Sequence, residues 1–333
     1  MPNLYVTEQG ARLQWEYGRI LVTKGRDVLL DVPAIKVSEI VLVGRVGVTT
    51  PALQMLLQHE IGMALLSSTG EFLGRLSGDR HSNTDLKRAQ YRRGDDADFC
   101  LQVARAVTSG KLWNCRVRCL RTASHTASDV ARRAADRISR HLRELEHAQG
   151  LVSVRALEAQ GARAYFSCIR DNLHKDWQFP SRQRRPPPDP FNAILSACYT
   201  LLTEAVYSAA FLAGLDPYCG FYHSERWGRP ALALDLMEEF RPIIADSVAV
   251  TLVNRQVLSQ ADFRPGPPER PVILSQEGYR KLLRKFGERL RAHVTVPRLR
   301  QRTTYQRLLE YQARRLAAVI EGREPTYEPF RSR

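Results

Sequence analysis

Residues 77–86 (SGDRHSNTDL) decide the fold, because the pattern of the chain changes on either side of this polar, turn-rich stretch. Before it, short β-rich runs alternate with tight turns; after it, apolar residues recur at helical spacing almost to the end. The upstream runs fall at 4–6, 11–16, 19–23, 27–33, 39–43, 63–67 and 71–76, with Tyr17-Gly18, Lys24-Gly25 and Ser68-Thr69-Gly70 as turn signals. One helix interrupts them, with Thr50 as N-cap, Pro51 at its first position and a stop at Gly62. Downstream, helices are expected at about 87–109, 111–148, 153–174, 190–214, 231–258, 275–294 and 298–320. The expected fold is therefore α+β: a small N-terminal β-sandwich over 1–76, a linker over 77–86 and a larger all-α domain over 87–333.

Charge changes at the same place. The 333 residues hold 50 Lys and Arg against 35 Asp and Glu, a net +15. Residues 1–74 carry 6 basic and 7 acidic side chains, so the whole excess lies beyond them, and only that part is a polyanion binder by charge. A hydrophobic content of 44% with 20 Gly and 18 Pro excludes wholesale disorder and collagen-like repeats. The start, MPNLYVTEQG, shows neither a basic nor an apolar signal region, so a cytoplasmic location, with the six cysteines in a reducing environment, is the expectation. They form no C-x-x-C pair, which disfavours a zinc site. Residues 193–215 are long enough to span a bilayer. Glu204 at mid-depth, with Ser196, Tyr199, Thr200, Thr203, Tyr207 and Ser208 around it, marks a buried core helix instead, and no membrane is expected.

Three segments carry chemistry. On the helix around 153–173, Val154, Gly161, Ala162, Tyr165 and Ile169 share a face with Glu158, while Gln160, Arg163, Ser167 and Arg170 lie opposite. A carboxylate on an apolar face needs a partner. An Arg of a neighbouring helix would make an internal salt bridge; a metal or a general-base role is the other possibility, and periodicity does not choose between them. In residues 220–242 (GFYHSERWGRPALALDLMEEFRP), His223 lies beside Arg226 and Arg229, and Asp235 and Glu238 stack one turn apart on a short helix ending near Pro242. That is either a metal cage or, with Glu239, a solvated acidic face. Residues 182–191 (RQRRPPPDPF) place Arg182, Arg184 and Arg185 before a helix capped by Asp189 with Pro190 at its first position. They form a phosphate grip or an exposed linker.

Residues 157–166 (LEAQGARAYF), 184–202 (RRPPPDPFNAILSACYTLL) and 220–242, in this order and spacing, resemble the CRISPR-associated adaptation integrases, the metal-dependent DNA endonucleases numbered first among the CRISPR-associated families. Residues 64–76 (ALLSSTGEFLGRL), Lys111 with Asn114, Asn254-Arg255 with Asp262-Phe263, and 312–330 extend the resemblance over the whole chain. It implies a β-sandwich used for homodimerisation, a helical catalytic domain, insertion of foreign DNA fragments into a CRISPR array, and a hetero-complex with a small ferredoxin-like adaptation protein. Carried over by position, Glu158, His223 and Glu238 are the metal ligands and Asp235 the acid that supports them. Ala159 stands where many relatives have Gly, and Glu238 where many have Asp. Two carboxylates and one imidazole suit Mg²⁺ or Mn²⁺. Arg163, Arg170, Arg182, Arg184, Arg185, Arg226 and Arg229 are the candidate phosphate contacts, since Arg presents bidentate donors. The contrasting expectation is a non-enzymatic basic nucleic-acid-binding protein whose acids only make structural pairs.

Overall fold

A computed structural model describes residues 3–78, 83–174, 177–183, 186–296, 298 and 301–333. The first elements are β1 (Asn3–Val6), β2 (Arg12–Glu16), β3 (Arg19–Lys24), β4 (Asp27–Pro33), β5 (Glu39–Val43), β6 (Gly47–Val48), α1 (Thr50–Gln58), β7 (Gly62–Leu66) and β8 (Phe72–Leu76). They build two four-stranded sheets, ordered β4-β3-β2-β6 and β1-β5-β7-β8. The two-residue β6, which no run of the sequence announces, pairs in parallel with β2. Thr49, not Thr50, caps α1: its backbone is extended and its side chain accepts from the Ala52 amide.

Leu13, Ile20 and Val22 of one sheet pack with Ile40, Leu42 and Met63 of the other, closed by Leu56 of α1. The alternate residues Val41, Val43, Ala64 and Leu66 face the opposite way and join the core shared with the helices. All five residues of β5 are therefore buried. Its Ile-Val-Leu-Val run is that of a strand covered on both faces. Glu39, at the start of β5, is the polar exception. Arg75 of β8 donates to Glu39 Oε1 at 2.6 Å and to Glu204 Oε2 at 2.8 Å, while Ser208 Oγ also donates to Glu39.

Helices follow from Thr84: α2 (Thr84–Gly94), α3 (Ala97–Thr126), α4 (Asp129–Glu146), α5 (Leu151–Asn172), α6 (Pro190–Leu212), α7 (Ala231–Met237), α8 (Asp246–Asn254), α9 (Gln276–Arg291) and α10 (Tyr305–Ile320). Residues 79–82 of the expected linker lie outside the described residues. The single helix expected over 111–148 is two, because Ala127 turns left-handed (φ 52°) and Ser128 caps α4 by accepting from the Ala131 amide at 3.1 Å. The helical part is mostly rather than wholly helical. Two antiparallel ladders interrupt it, β9 (Phe263–Pro265) with β10 (Val272–Leu274) and β11 (His293–Val296) with β12 (Gln301–Thr304).

Asp189 caps α6 as expected, accepting from the Asn192 amide at 2.8 Å. Among the described residues α6 is long and apolar enough to cross a membrane. Here it packs against α7, α8, α9 and α10, and its Glu204 meets Arg75. Between α7 and α8 the winding changes twice, to a 3₁₀ turn over Glu238–Phe240 and a π turn over Arg241–Ala245. Pro242 lacks the amide that an α-helix would use there, so the ladder must shift register.

Candidate active site

The site forms where α3, α5, the loop before α7 and the 3₁₀ turn meet. Gly161 eases the first contact: a Cβ there would stand 2.4 Å from Leu112 Cδ2, so with any larger residue the Leu112 side chain would have to move for α5 to close onto α3 one residue from Lys111. Glu158, one turn earlier on α5, then receives the Lys111 ammonium at Oε1 and the Tyr222 hydroxyl at Oε2, the latter at 2.6 Å. The cation beside Glu158 is thus a lysine, where the salt-bridge alternative had named an arginine.

Lys111 also lies 2.7 Å from Glu238 Oε2, and Arg241 lies 3.1 Å from Glu238 Oε1. The Oε2 contact is an ion pair without hydrogen-bond geometry, and no other described group satisfies that oxygen. Burial works against the Lys111 charge, but Glu158 and Glu238 outweigh it and raise its pKa. Burial likewise works against the Glu238 carboxylate, and Arg241, Lys111 and His223 outweigh it and hold it below the usual carboxylate range. Glu158 is lowered against its own burial, chiefly by Lys111.

Asp235 positions the imidazole. It is wholly buried and accepts the amides of Phe221 and Tyr222 at Oδ2 and that of His223 at Oδ1, between 2.7 and 3.0 Å. The same Oδ1 lies 2.7 Å from His223 Nδ1, so Nδ1 carries a proton toward Asp235 and Nε2 is turned to Glu238 Oε1, 3.6 Å away. A Cβ on Gly220 would stand 2.9 Å from Asp235 Oδ2, which is why the loop begins with glycine. Asp235, Glu238 and Glu239 are 0, 1 and 0% exposed, so the run is not a solvated face.

Glu239 points away from the site and ties down the chain's end. It accepts from Tyr327 Oη at 2.8 Å, Gln312 Nε2 at 3.2 Å and the Phe330 amide. Asn114 of α3 bridges the same strap, donating to the Glu239 and Phe330 carbonyls and accepting from the Ser332 amide.

Two grooves flank the carboxylates. One of about 650 Å³ is lined by Lys111, Glu158, Arg163, Arg170, Arg182 and Arg241; the other, of about 1090 Å³, by Arg155, Tyr222, His223, Arg226 and Arg229. Arg163, Arg170 and Arg226 are exposed. Arg182 is partly spent on Asn192 and Ser196 and stacks on Tyr199. Arg229 is half-buried and reaches Ser224. Arg184 and Arg185 lie outside the described residues. Trp227, fully exposed, stands between Arg226 and Arg229 at the loop tip. The sequence reading missed Lys111 and Arg241 as site residues. Lys111 shares a face of α3 with the buried Val107 and Cys115, and that periodicity was the available signal.

Among the described residues, no three His, Cys, Asp or Glu side chains already stand at metal-coordinating separation; the ammonium of Lys111 is the cation between the two carboxylates. The donor set nevertheless fits a hard divalent ion: Glu158, Glu238 with a buried oxygen lacking a hydrogen bond, and an imidazole whose Nε2 is turned to that carboxylate.

A family model described as CRISPR associated protein Cas1 matches residues 4–288. A CRISPR-associated endonuclease Cas1 of Thermus thermophilus is 37% identical over 331 residues, covering 98% of this chain and 96% of the relative. Another from Chlorobaculum tepidum is 32% identical, covering 98% and 97%. In fold the chain resembles a CAS1 protein from Thermotoga maritima (TM-score 0.83, 21% identity, 98% and 99% covered) and a casposase bound to integration product (TM-score 0.85, 21%, 98% and 93%). With the match running through both sheets, the helices that carry Lys111 and Glu158, and the loop and turn that carry His223 and Glu238, the chain belongs to the Cas1 family of CRISPR-associated proteins.

Proposed function

We propose that this protein is a Mg²⁺- or Mn²⁺-dependent DNA endonuclease and integrase that inserts foreign fragments into a CRISPR array by phosphoryl transfer. The observation that carries the reading is the meeting of Glu158 and Glu238 on the buried Lys111 ammonium, with His223 Nε2 3.6 Å from Glu238. Glu158, His223 and Glu238 would hold the metal, which supplies a Lewis acid for the scissile phosphate and an activated oxygen nucleophile. Asp235 fixes the His223 tautomer and its ring orientation. Arg163 and Arg170 on one side, and Arg226 and Arg229 on the other, would grip the flanking phosphates as bidentate donors. The Tyr222 hydroxyl holds the second oxygen of Glu158 and so limits its swing. We further propose that the sandwich mediates homodimerisation, that DNA fragments and the leader-repeat are the nucleic-acid partners, that a small ferredoxin-like adaptation protein completes the complex, and that it works in the cytoplasm.

The test is strand cutting and joining on a labelled branched duplex with Mn²⁺, Mg²⁺ or chelator. Glu158→Ala, His223→Ala and Glu238→Ala should each abolish turnover while folding cooperatively, and Asp235→Asn should cost about 10–100-fold through the misplaced imidazole. Wild-type turnover in folded His223→Ala overturns the ligand set. Tight DNA binding without turnover under any metal favours the non-enzymatic reading.

A further inference from the structure

We propose that a second cleft, on the face of α3 turned away from Lys111, binds the phosphodiester backbone of a single-stranded nucleic acid; this rests on the DNA-acting reading above. Arg105, Ser109, Trp113 and Arg116 recur at helical spacing along that face, and α4, α10 and the strap from Tyr327 to Arg331 close a cleft of about 930 Å³ over them. Its arginines fall into two sets. Arg298 and Arg315 meet the carboxylates of Glu324 and Glu328, as Arg75 and Arg241 meet carboxylates elsewhere. Arg105, Arg116, Arg143 and Arg331 meet none among the described residues.

Neutral groups hold the cleft arginines in place. Arg116 donates to Ser139 Oγ at 2.7 Å, Arg331 to Ser109 Oγ at 2.6 Å, and Arg105 to the Ala148 carbonyl at 2.8 Å. Arg116 and Arg331 also lie over the Trp113 ring, 5.5 and 5.3 Å from its centre, while Trp113 Nε1 is tethered to the Ser332 carbonyl. A guanidinium fixed by hydroxyls and an indole keeps its full charge and its remaining N–H groups for an incoming anion. Of the acids at the cleft, Glu328 is taken by Arg298 and Arg315, and Glu146 is exposed.

Size and lining choose the anion. A single phosphate would fill a small part of about 930 Å³, whereas a strand repeats its phosphates and brings bases for the half-buried Tyr311 to stack on. The cleft is separated from the catalytic grooves by the thickness of α3, so it is a further site and not an extension of them.

The experiment measures anisotropy of a short fluorescein-labelled oligodeoxythymidine with the full chain in chelator, so that no turnover intervenes. Arg143 and Arg331 are exposed, and an unchanged unfolding midpoint checks the Arg143→Gln/Arg331→Gln double variant. The variant should bind about tenfold more weakly, with the log–log salt slope reduced by about 1.4, two phosphates at ~0.7 each on a single strand. Adding Arg163→Gln in the catalytic groove should weaken binding further by an independent factor. Equal affinity and slope in wild type and double variant overturn this cleft alone. A wild type that binds no oligonucleotide overturns the functional reading with it. Loss of ATP binding in the variant, with oligonucleotide binding intact, overturns the strand in favour of a free nucleotide.

Discussion

Two buried clusters share one arrangement, a cation between two carboxylates, and differ in the cation. At the junction of sheet and helices, Arg75 joins Glu39 and Glu204; in the site, Lys111 joins Glu158 and Glu238. The guanidinium of Arg75 reaches Glu39, Ser208, the Glu204 carboxylate and the Glu204 carbonyl, and stacks on Tyr207. Its planar fork fixes the geometry of everything around it. The ammonium of Lys111 is a compact point charge, and one oxygen it faces makes no hydrogen bond. The first cluster is built to stay, and the second holds its carboxylates apart in a way that another cation can take over.

Removing each cation tests that contrast. Arg75→Met leaves two buried carboxylates without a counter-charge and should destabilise by about 3–5 kcal/mol in denaturant unfolding. Divalent metal should not restore it, because neither Ser208 nor a carbonyl supplies an imidazole or a third carboxylate. Lys111→Met should cost less, about 2 kcal/mol in chelator, since Glu158 keeps some solvent contact and Arg241 still faces Glu238. Mn²⁺ should recover that loss and raise the Lys111→Met midpoint more than the wild-type midpoint. A variant whose midpoint ignores Mn²⁺ would break the comparison.

The smallest effect is a slope. Burial pushes Glu204 up to about 7 even beside Arg75, so the folded state binds its proton more tightly than the unfolded chain does. Such a group stabilises fully below the ordinary carboxylate range near 4.5, and that contribution is lost as pH rises through 7. Glu239, also raised to about 7 by burial, acts in the same direction. Between these limits stability should fall by roughly 1.4 kcal/mol per pH unit for each group at most. Glu204→Gln should halve the slope and leave the Glu239 share; an unaltered slope would show Glu204 charged throughout.

What the sequence made legible follows from the range of the interaction. Glu158 could be assigned to an apolar face because its own helix supplies the evidence within two turns, and Asp189 could be read as a cap because the amide that donates to it lies three residues on. The strands of the sandwich announced themselves by turns and alternation; the two-residue β6 and the ladders at β9–β10 and β11–β12 are too short to do so. The break at Ala127 did have a local signal, the Thr- and Ser-rich stretch before Asp129 with Ser128 as cap, which the helical periodicity on either side overrode. Lys111 escaped notice as a site residue because its meaning depends on α5 arriving against α3, through Gly161, from 47 residues away. Arg75 and Glu204 stand 129 residues apart, so the mid-depth glutamate could be recognised as out of place but not matched to its partner.

The strap at the chain's end bears on how the protein is made. Synthesis delivers α3, α5 and the His223 loop well before Tyr327, Phe330 and Ser332 leave the ribosome. Until those residues arrive, Glu239 lacks two of its donors, and Asn114 keeps its bond to the Glu239 carbonyl but lacks the Phe330 carbonyl and the Ser332 amide. The turn that carries Glu238 therefore draws part of its support from residues 88 and 91 positions further along the chain, and that support is complete only once they dock on Glu239.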